Sequence, residues 1–488
     1  DDRGEVHPEL ASELPTRDKG TWVLRPDGTM ETTYKLRPGV TWHDGTPLTP
    51  ANFVLGWTVV RDTELPISAR RVADQISRID SPDASTLVLQ WAGTYPFAHS
   101  LPVRDLPPLP SHIVEATYRA EKDRFAELPY WKREFVGLGP YQLSEWEPGS
   151  HLILHAYDRY YAGRAKIDTI TVKFIPNQQT IVSNLLSGAV DGPVKGSLDF
   201  EQAMFVKSEW ERAGFKPVVI AQPTHWRLIG FQFQNPRPRE MMDVRVRRGL
   251  LHAIDRQALV DAMVDGQSPV SQTFIPPDDA RWDWVKDVVS TYDYDPRRAQ
   301  ELLAEVGWRK AADGAMVNAS GERASFVLET TGGALQRIGT IVSDNWRATG
   351  LGVDEVVLSP GEARETRRIA QFPAVMTSSI PLSFEFNLER LHNRRCPTEQ
   401  NRWTGANAGC YDSPDHDRIA DALVTAIEPA EQRRLWRELV SHETELLPAL
   451  PLFFNVTVTL FREGVTGVKG DTKPRTNMTW NVAEWDIR

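Results

Sequence analysis

The chain has 488 residues, 41% of them hydrophobic and 25% charged, with a formal charge of −10 at neutral pH. That length exceeds one ordinary core and calls for two or three domains. No apolar run reaches the ~18 residues of a membrane-spanning helix, and the net acidity sets aside a nucleic-acid partner, which needs concentrated Lys and Arg.

Residues 22–24 and 32–36 read as strands of a hairpin around Pro26-Asp27-Gly28. The stretch LRPGVTWHDGTPLTPANF, residues 36–53, holds Trp42 between two polar turns; Thr49 is a candidate helix cap with Pro50 at the first helical position. A helix is expected over 52–62, then a pair of strands around Pro82-Asp83 and a Pro-led turn into the helix at SHIVEATY. Gly137, Gly139 and Pro140 suit a tight turn between domains, and Tyr141 beyond them is either cleft-lining or core. Ile167, Ile170, Val172 and Phe174 mark a strand before an amphipathic helix. Strands are expected over 215–220 and 226–234, separated by Gln222-Pro223-Thr224-His225.

Asp243 is placed to cap a helix with Val246, Leu250, Ala253 and Ile254 on its apolar face, and Asp295-Pro296 starts another that Gly307 stops. A strand over 324–329, a helix over 335–349 and a strand over 352–358 form a βαβ-like unit, with a further strand at 374–377. Cys396 and Cys410 flank a Pro, Asn and Gly-rich loop. A disulfide there, contributing about 3 kcal/mol and implying an oxidising compartment, is the expectation, with two free thiols as the alternative.

Several of these stretches carry a family resemblance. The 36–53 string, FVGLGPYQLSEWEPGS, KIDTITVKFIPNQQTIVSNLLSGAVDG, MMDVRVRRGLLHAIDRQALVDAMVDG and YDSPDHDRIADAL resemble, in order, the signatures of the family 5 extracellular solute-binding proteins, the peptide- and nickel-type receptors of ABC importers. The resemblance implies a bilobed α/β fold of the periplasmic-binding-protein type II, or Venus flytrap, kind with an extra inserted α/β domain. On that pattern residues 1–41, 150–236 and 458–488 form a discontinuous lobe I, residues 42–149 an inserted domain II, and residues 237–457 lobe II. In the family several tens of residues precede the first hairpin; the expectation is a late start or a first lobe missing that part. No apolar signal segment opens the chain, so it is read as trimmed or cytoplasmic, and the resemblance favours a periplasmic or extracellular location, with a lipid anchor left open.

Chemical motifs are missing. There is no G-x-S-x-G nucleophile elbow, no H-E-x-x-H metal pair and no P-loop lysine beside Thr331-Gly332-Gly333. The expectation is therefore a binding protein without cofactor or metal, a monomer with a small-molecule or peptide ligand in the interlobe cleft and an ABC permease as partner. A hydrolase recruited on the same scaffold is the alternative. Three clusters are candidates for ligand contact: His225, Trp226 and Arg227 at the first lobe crossing; Arg367 and Arg368, whose guanidinium forks suit a carboxylate; and Thr377, Ser378 and Ser379. Peptide-binding relatives carry an Asp beside that last cluster to neutralise the ligand's α-ammonium. No Asp occurs from Val375 to Leu391, which leaves Glu385 as a substitute, or a neutral, capped or sugar ligand, because an ammonium buried without a counter-charge is costly.

Overall fold

The computed structural model describes residues 5–65, 67, 70–470 and 477–488, including their side chains except those of residues 384 and 385. The chain divides into two compact units: the first comprises residues 1–220, 425–427 and 458–488, the second residues 221–424 and 428–457.

In the first unit, β1 (Trp22–Leu24), β2 (Met30–Lys35), β3 (Ile76–Asp80) and β4 (Thr86–Trp91) form an antiparallel sheet in the order β1-β2-β4-β3. The helix Pro50–Arg61 starts as the Thr49-Pro50 pair implies, and the Thr49 backbone N–H donates to Asn52 Oδ1 at 2.8 Å. Met30, Trp42, Phe53, Leu89 and Trp91 share one core. The expected domain boundary between residues 41 and 42 runs through this layer: β2 pairs with β4 along its whole length, so residues 22–36 belong with the segment that follows them. A second sheet is the meander β5 (Tyr141–Glu147), β6 (His151–Ala156) and β7 (Thr169–Lys173). A third cluster, in which Phe461, Val465 and Trp485 pack with Ile167 and Val218, brings the C-terminal residues into the same unit.

The second unit is built on the sheet β12-β11-β13-β8-β14, where β8 is Val218–Phe231, β11 Ser325–Thr331, β12 Gly352–Leu358, β13 Val375–Pro381 and β14 Ala449–Phe461. The short hairpin β9 (Arg309–Lys310) and β10 (Met316–Val317) precedes β11. β11 pairs parallel with β12 through the helix Ala334–Thr349, the βαβ unit expected from sequence, while β13 pairs antiparallel with β8. Asp243 caps Val244–His252 by accepting from Arg245 N–H, and Asp295 caps Pro296–Glu305.

Two expectations differ here. β8 is one fourteen-residue strand, not two strands separated by residues 222–225. Its ladder with β13 begins at His225, so Pro223, which has no N–H to donate, lies outside that ladder and does not interrupt it. The chain also passes between units at 220/221, earlier than the expected 236/237, because residues 225–231 are paired into the second unit's sheet. The return falls at 457/458, within β14.

Candidate functional site

The register of β13 on β8 brings together two of the three clusters picked from sequence. Ser379 lies opposite Arg227, Ile380 opposite Trp226 and Pro381 opposite His225. β14 flanks β8 on its other side, and Arg227 Nη2 donates to Asn455 Oδ1 at 2.9 Å. A row of half-buried polar side chains, Ser379, Arg227 and Asn455, therefore crosses three neighbouring strands of the second unit. The Nε of Arg227 is shut away from solvent and has no hydrogen-bond partner among the described residues. Burial pulls its guanidinium below the usual arginine value. Thr224 continues the polar patch: its hydroxyl lies 2.9 Å from that of Thr457 and 3.2 Å from His225 Nδ1.

Trp226 is only 3% exposed and packs against Phe274 with a centroid separation of 6.2 Å. The Arg390 guanidinium lies 4.7 Å from the Trp226 ring centroid and is ion-paired with Glu443, both side chains being 5% exposed. His416 Nε2 lies 3.3 Å from the other Glu443 oxygen. Burial pushes the Glu443 carboxyl up, but Arg390 and the hydrogen bond from His416 outweigh it and hold the group below its ordinary value. Arg390 is lowered by burial, against the pull of Glu443. Trp226, Arg390, Glu443, Gln272 and Thr273 line a cavity of about 10 Å³, room for one water-sized occupant and far too little for a ligand. Trp226 is thus a backing layer, tied to a buried charge pair, behind the row that carries Arg227.

The remaining candidates stand elsewhere. Thr377 is buried and donates to Thr330 Oγ1 at 2.8 Å; Ser378 is half-buried on the same strand. Arg368 is committed to a bidentate pair with Glu329, at 2.8 and 2.6 Å, and that carboxylate is 2% exposed. Arg367 lies over the Trp403 ring at 5.2 Å. Tyr141 belongs to the first unit, where its hydroxyl donates to the Ile167 carbonyl at 2.9 Å and burial raises its pKa. The side chain of Glu385 lies outside the described residues. Cys396 and Cys410 form a disulfide with a Cα–Cα distance of 4.8 Å. Sequence reading missed Asn455, although a lone Asn in the otherwise apolar run ALPLFFNV was a visible signal. It also missed Arg390 and Glu443, which lie 53 residues apart and carry no local mark.

Residues 5–385 match the model of the bacterial extracellular solute-binding proteins, family 5. The chain belongs to that family. The oligopeptide-binding protein AppA of Bacillus subtilis is 24% identical over 330 residues, 67% of this chain and 58% of the relative, so the match spans well under two thirds of that protein's length. In structure, AppA from Bacillus subtilis superposes with a TM-score of 0.69 at 20% identity, covering 100% of this chain and 91% of AppA. NikA from Brucella suis superposes with a TM-score of 0.75 at 16% identity, covering 100% and 92%. The fold is that of the bilobed solute-binding proteins, and the family is one of solute-binding proteins. Among the described residues no helix is long and apolar enough to cross a membrane, and no group of three or more His, Cys, Asp or Glu is arranged to hold a metal ion.

Proposed function

We propose that this chain is the extracytoplasmic substrate-binding receptor of an ABC importer, a monomer that binds a small ligand, oligopeptide-like or other, and presents it to a membrane permease in the periplasm or at the cell exterior. The observation that carries this reading is the family match across residues 5–385. It is supported by what the relatives bind: AppA was solved with a nonapeptide and NikA with Fe(III)-EDTA. The ligand-contact residues proposed are His225, Arg227 and Ser379, joined by Asn455, with Trp226 behind them; Ser378, opposite Leu228 in the ladder, lies on the Trp226 face. Arg227 lies seven residues beyond the 220/221 crossing and Asn455 two before 457/458, so a bound ligand sits beside the segments that join the units.

The test is native mass spectrometry of freshly purified protein for co-purified ligand, together with a thermal-shift screen of peptides, sugars and metal chelates. A ligand at ~100 times its Kd stabilises by about 2.7 kcal/mol, which a melting curve resolves. A blank screen with no co-purified mass removes the receptor reading.

A further inference from the structure

The deeply placed arginines of the second unit divide into two kinds. Arg247 directs its nitrogens to the carbonyls of Leu446, Met241 and Met242, and Arg256 to those of Ser271, Pro451 and Tyr292. Arg390 and Arg368 have buried carboxylates as partners. Each of these guanidiniums is compensated within the fold. Arg227 is not. It makes one hydrogen bond, to the neutral Asn455 amide, and no carboxylate of the described residues lies within ion-pairing distance; its Nε is buried without a partner, as is that of Arg390, but the Arg390 charge is balanced by Glu443.

Its neighbours are also donors with capacity left over. Because Asn455 Oδ1 accepts from Arg227, the amide is oriented with its two Nδ2 hydrogens unused among the described residues. Ser379, opposite Arg227 in the ladder, has a half-buried hydroxyl with no hydrogen bond to a described residue. Three adjacent strands thus present a hydroxyl, a guanidinium and an amide in a single row. The row carries one positive charge among neutral donors, and this matches a monoanion better than a dianion such as phosphate. A guanidinium fork paired with neutral donors fits the two oxygens of a carboxylate.

We propose that Arg227, with Asn455 and Ser379, holds a carboxylate of the bound ligand, so that this receptor selects acids over their neutral counterparts. The inference rests on the receptor reading above and names the ligand chemistry at that site. It assigns the anion-reading role to Arg227, since Arg368 is occupied by Glu329.

The experiment measures Kd by calorimetry for two matched pairs, trialanine with its C-terminal amide and gluconate with gluconamide, on the wild-type chain, Arg227→Met and Arg227→Lys. The expected result is an acid bound at least about tenfold more tightly than its amide by wild type, a ratio near one for Arg227→Met, and an intermediate ratio for Arg227→Lys, which keeps the charge and loses the fork. The pair that shows the preference tells a peptide terminus from another small acid. Ligand-free Arg227→Met is expected to melt no lower than wild type, because an uncompensated charge has been removed; a purely structural arginine would give a lower melting temperature and an unchanged ratio. If Arg227→Met does not fold, Arg227→Lys carries the comparison. Equal binding of acid and amide by wild type, or a preference that survives both substitutions, overturns the inference and leaves the receptor reading standing. If neither pair binds while the wider screen finds ligands, the inference alone falls; a blank screen takes the receptor reading with it.

Discussion

The Arg390–Glu443 pair behind Trp226 allows a quantitative test of how the second unit is held. Both side chains are 5% exposed, and the pair joins the segment after β13 to the helix Pro429–Leu446. Removing one partner strands the other charge in a dry interior, which costs about 3–5 kcal/mol. Arg390→Met also removes the cation–π contact with Trp226 at 4.7 Å, a contact worth up to ~2 kcal/mol when desolvated. Each single substitution, Arg390→Met or Glu443→Gln, is therefore expected to destabilise by roughly 3–5 kcal/mol. The double variant leaves no charge to strand, and the Gln amide still reaches His416, so it is expected to cost about as much as one single substitution and not the sum of both. The assay is urea denaturation followed by tryptophan fluorescence at neutral pH, analysed as a double-mutant cycle. Single-variant losses that add to within about 0.5 kcal/mol in the double variant would refute the reasoning. The pH dependence has a fixed sign. The Glu443 carboxyl is held below its ordinary value of 4.5 in the folded protein, so its contribution is present above that value and is lost as the pH falls through the depressed one. Glu443→Gln should flatten that part of the acid limb.

Three further outcomes are expected. Reduction of the Cys396–Cys410 bond, with a sequence separation of 14, should lower stability by about 3 kcal/mol, and thiol titration of the native protein before reduction should find no free sulfhydryl. Gly409→Ala should destabilise by about 1–3 kcal/mol or more, because a Cβ there would lie 1.8 Å from the Phe231 carbonyl oxygen on β8; urea midpoints of the two proteins decide it. Asp62 is held at about 2 by Lys122, the Glu64 backbone N–H and the Tyr118 hydroxyl, so it stabilises above its ordinary 3.8 and loses that contribution as pH falls towards 2; Asp62→Asn should remove this part of the acid sensitivity of the melting temperature.

What could be read from sequence was whatever short-range chemistry decides. Asp243 and Asp295 announce their helices because a capping carboxylate must stand next to the N–H groups it serves. The succession of strand, helix and strand over 324–358 made the βαβ-like unit readable, and the two strands pair in parallel. The break expected at 222–225 failed because Pro223 was weighed without its neighbours, and only the start of the β13 ladder at His225 shows that its missing N–H is harmless. The 41/42 boundary failed for a similar reason: the partner of β2 is β4, some fifty residues on, which no local pattern reveals. At the site, Arg227 and Ser379 were each selected from their own segments, but their opposition across the ladder, and the use of Arg368 by Glu329, arise from pairing over long sequence separations.

The path of the chain also bears on the order of its assembly. Residues 221–457, apart from the short stretch 425–427, contain everything the second unit packs, whereas the first needs Phe461, Val465 and Trp485 to finish one of its cores. During synthesis the unit that begins first must therefore wait for the last, holding an apolar face around Ile167 and Val218 open while the ribosome works through more than two hundred intervening residues. Nascent chains arrested before residue 458 should have a protease-resistant second unit and an unfinished first one.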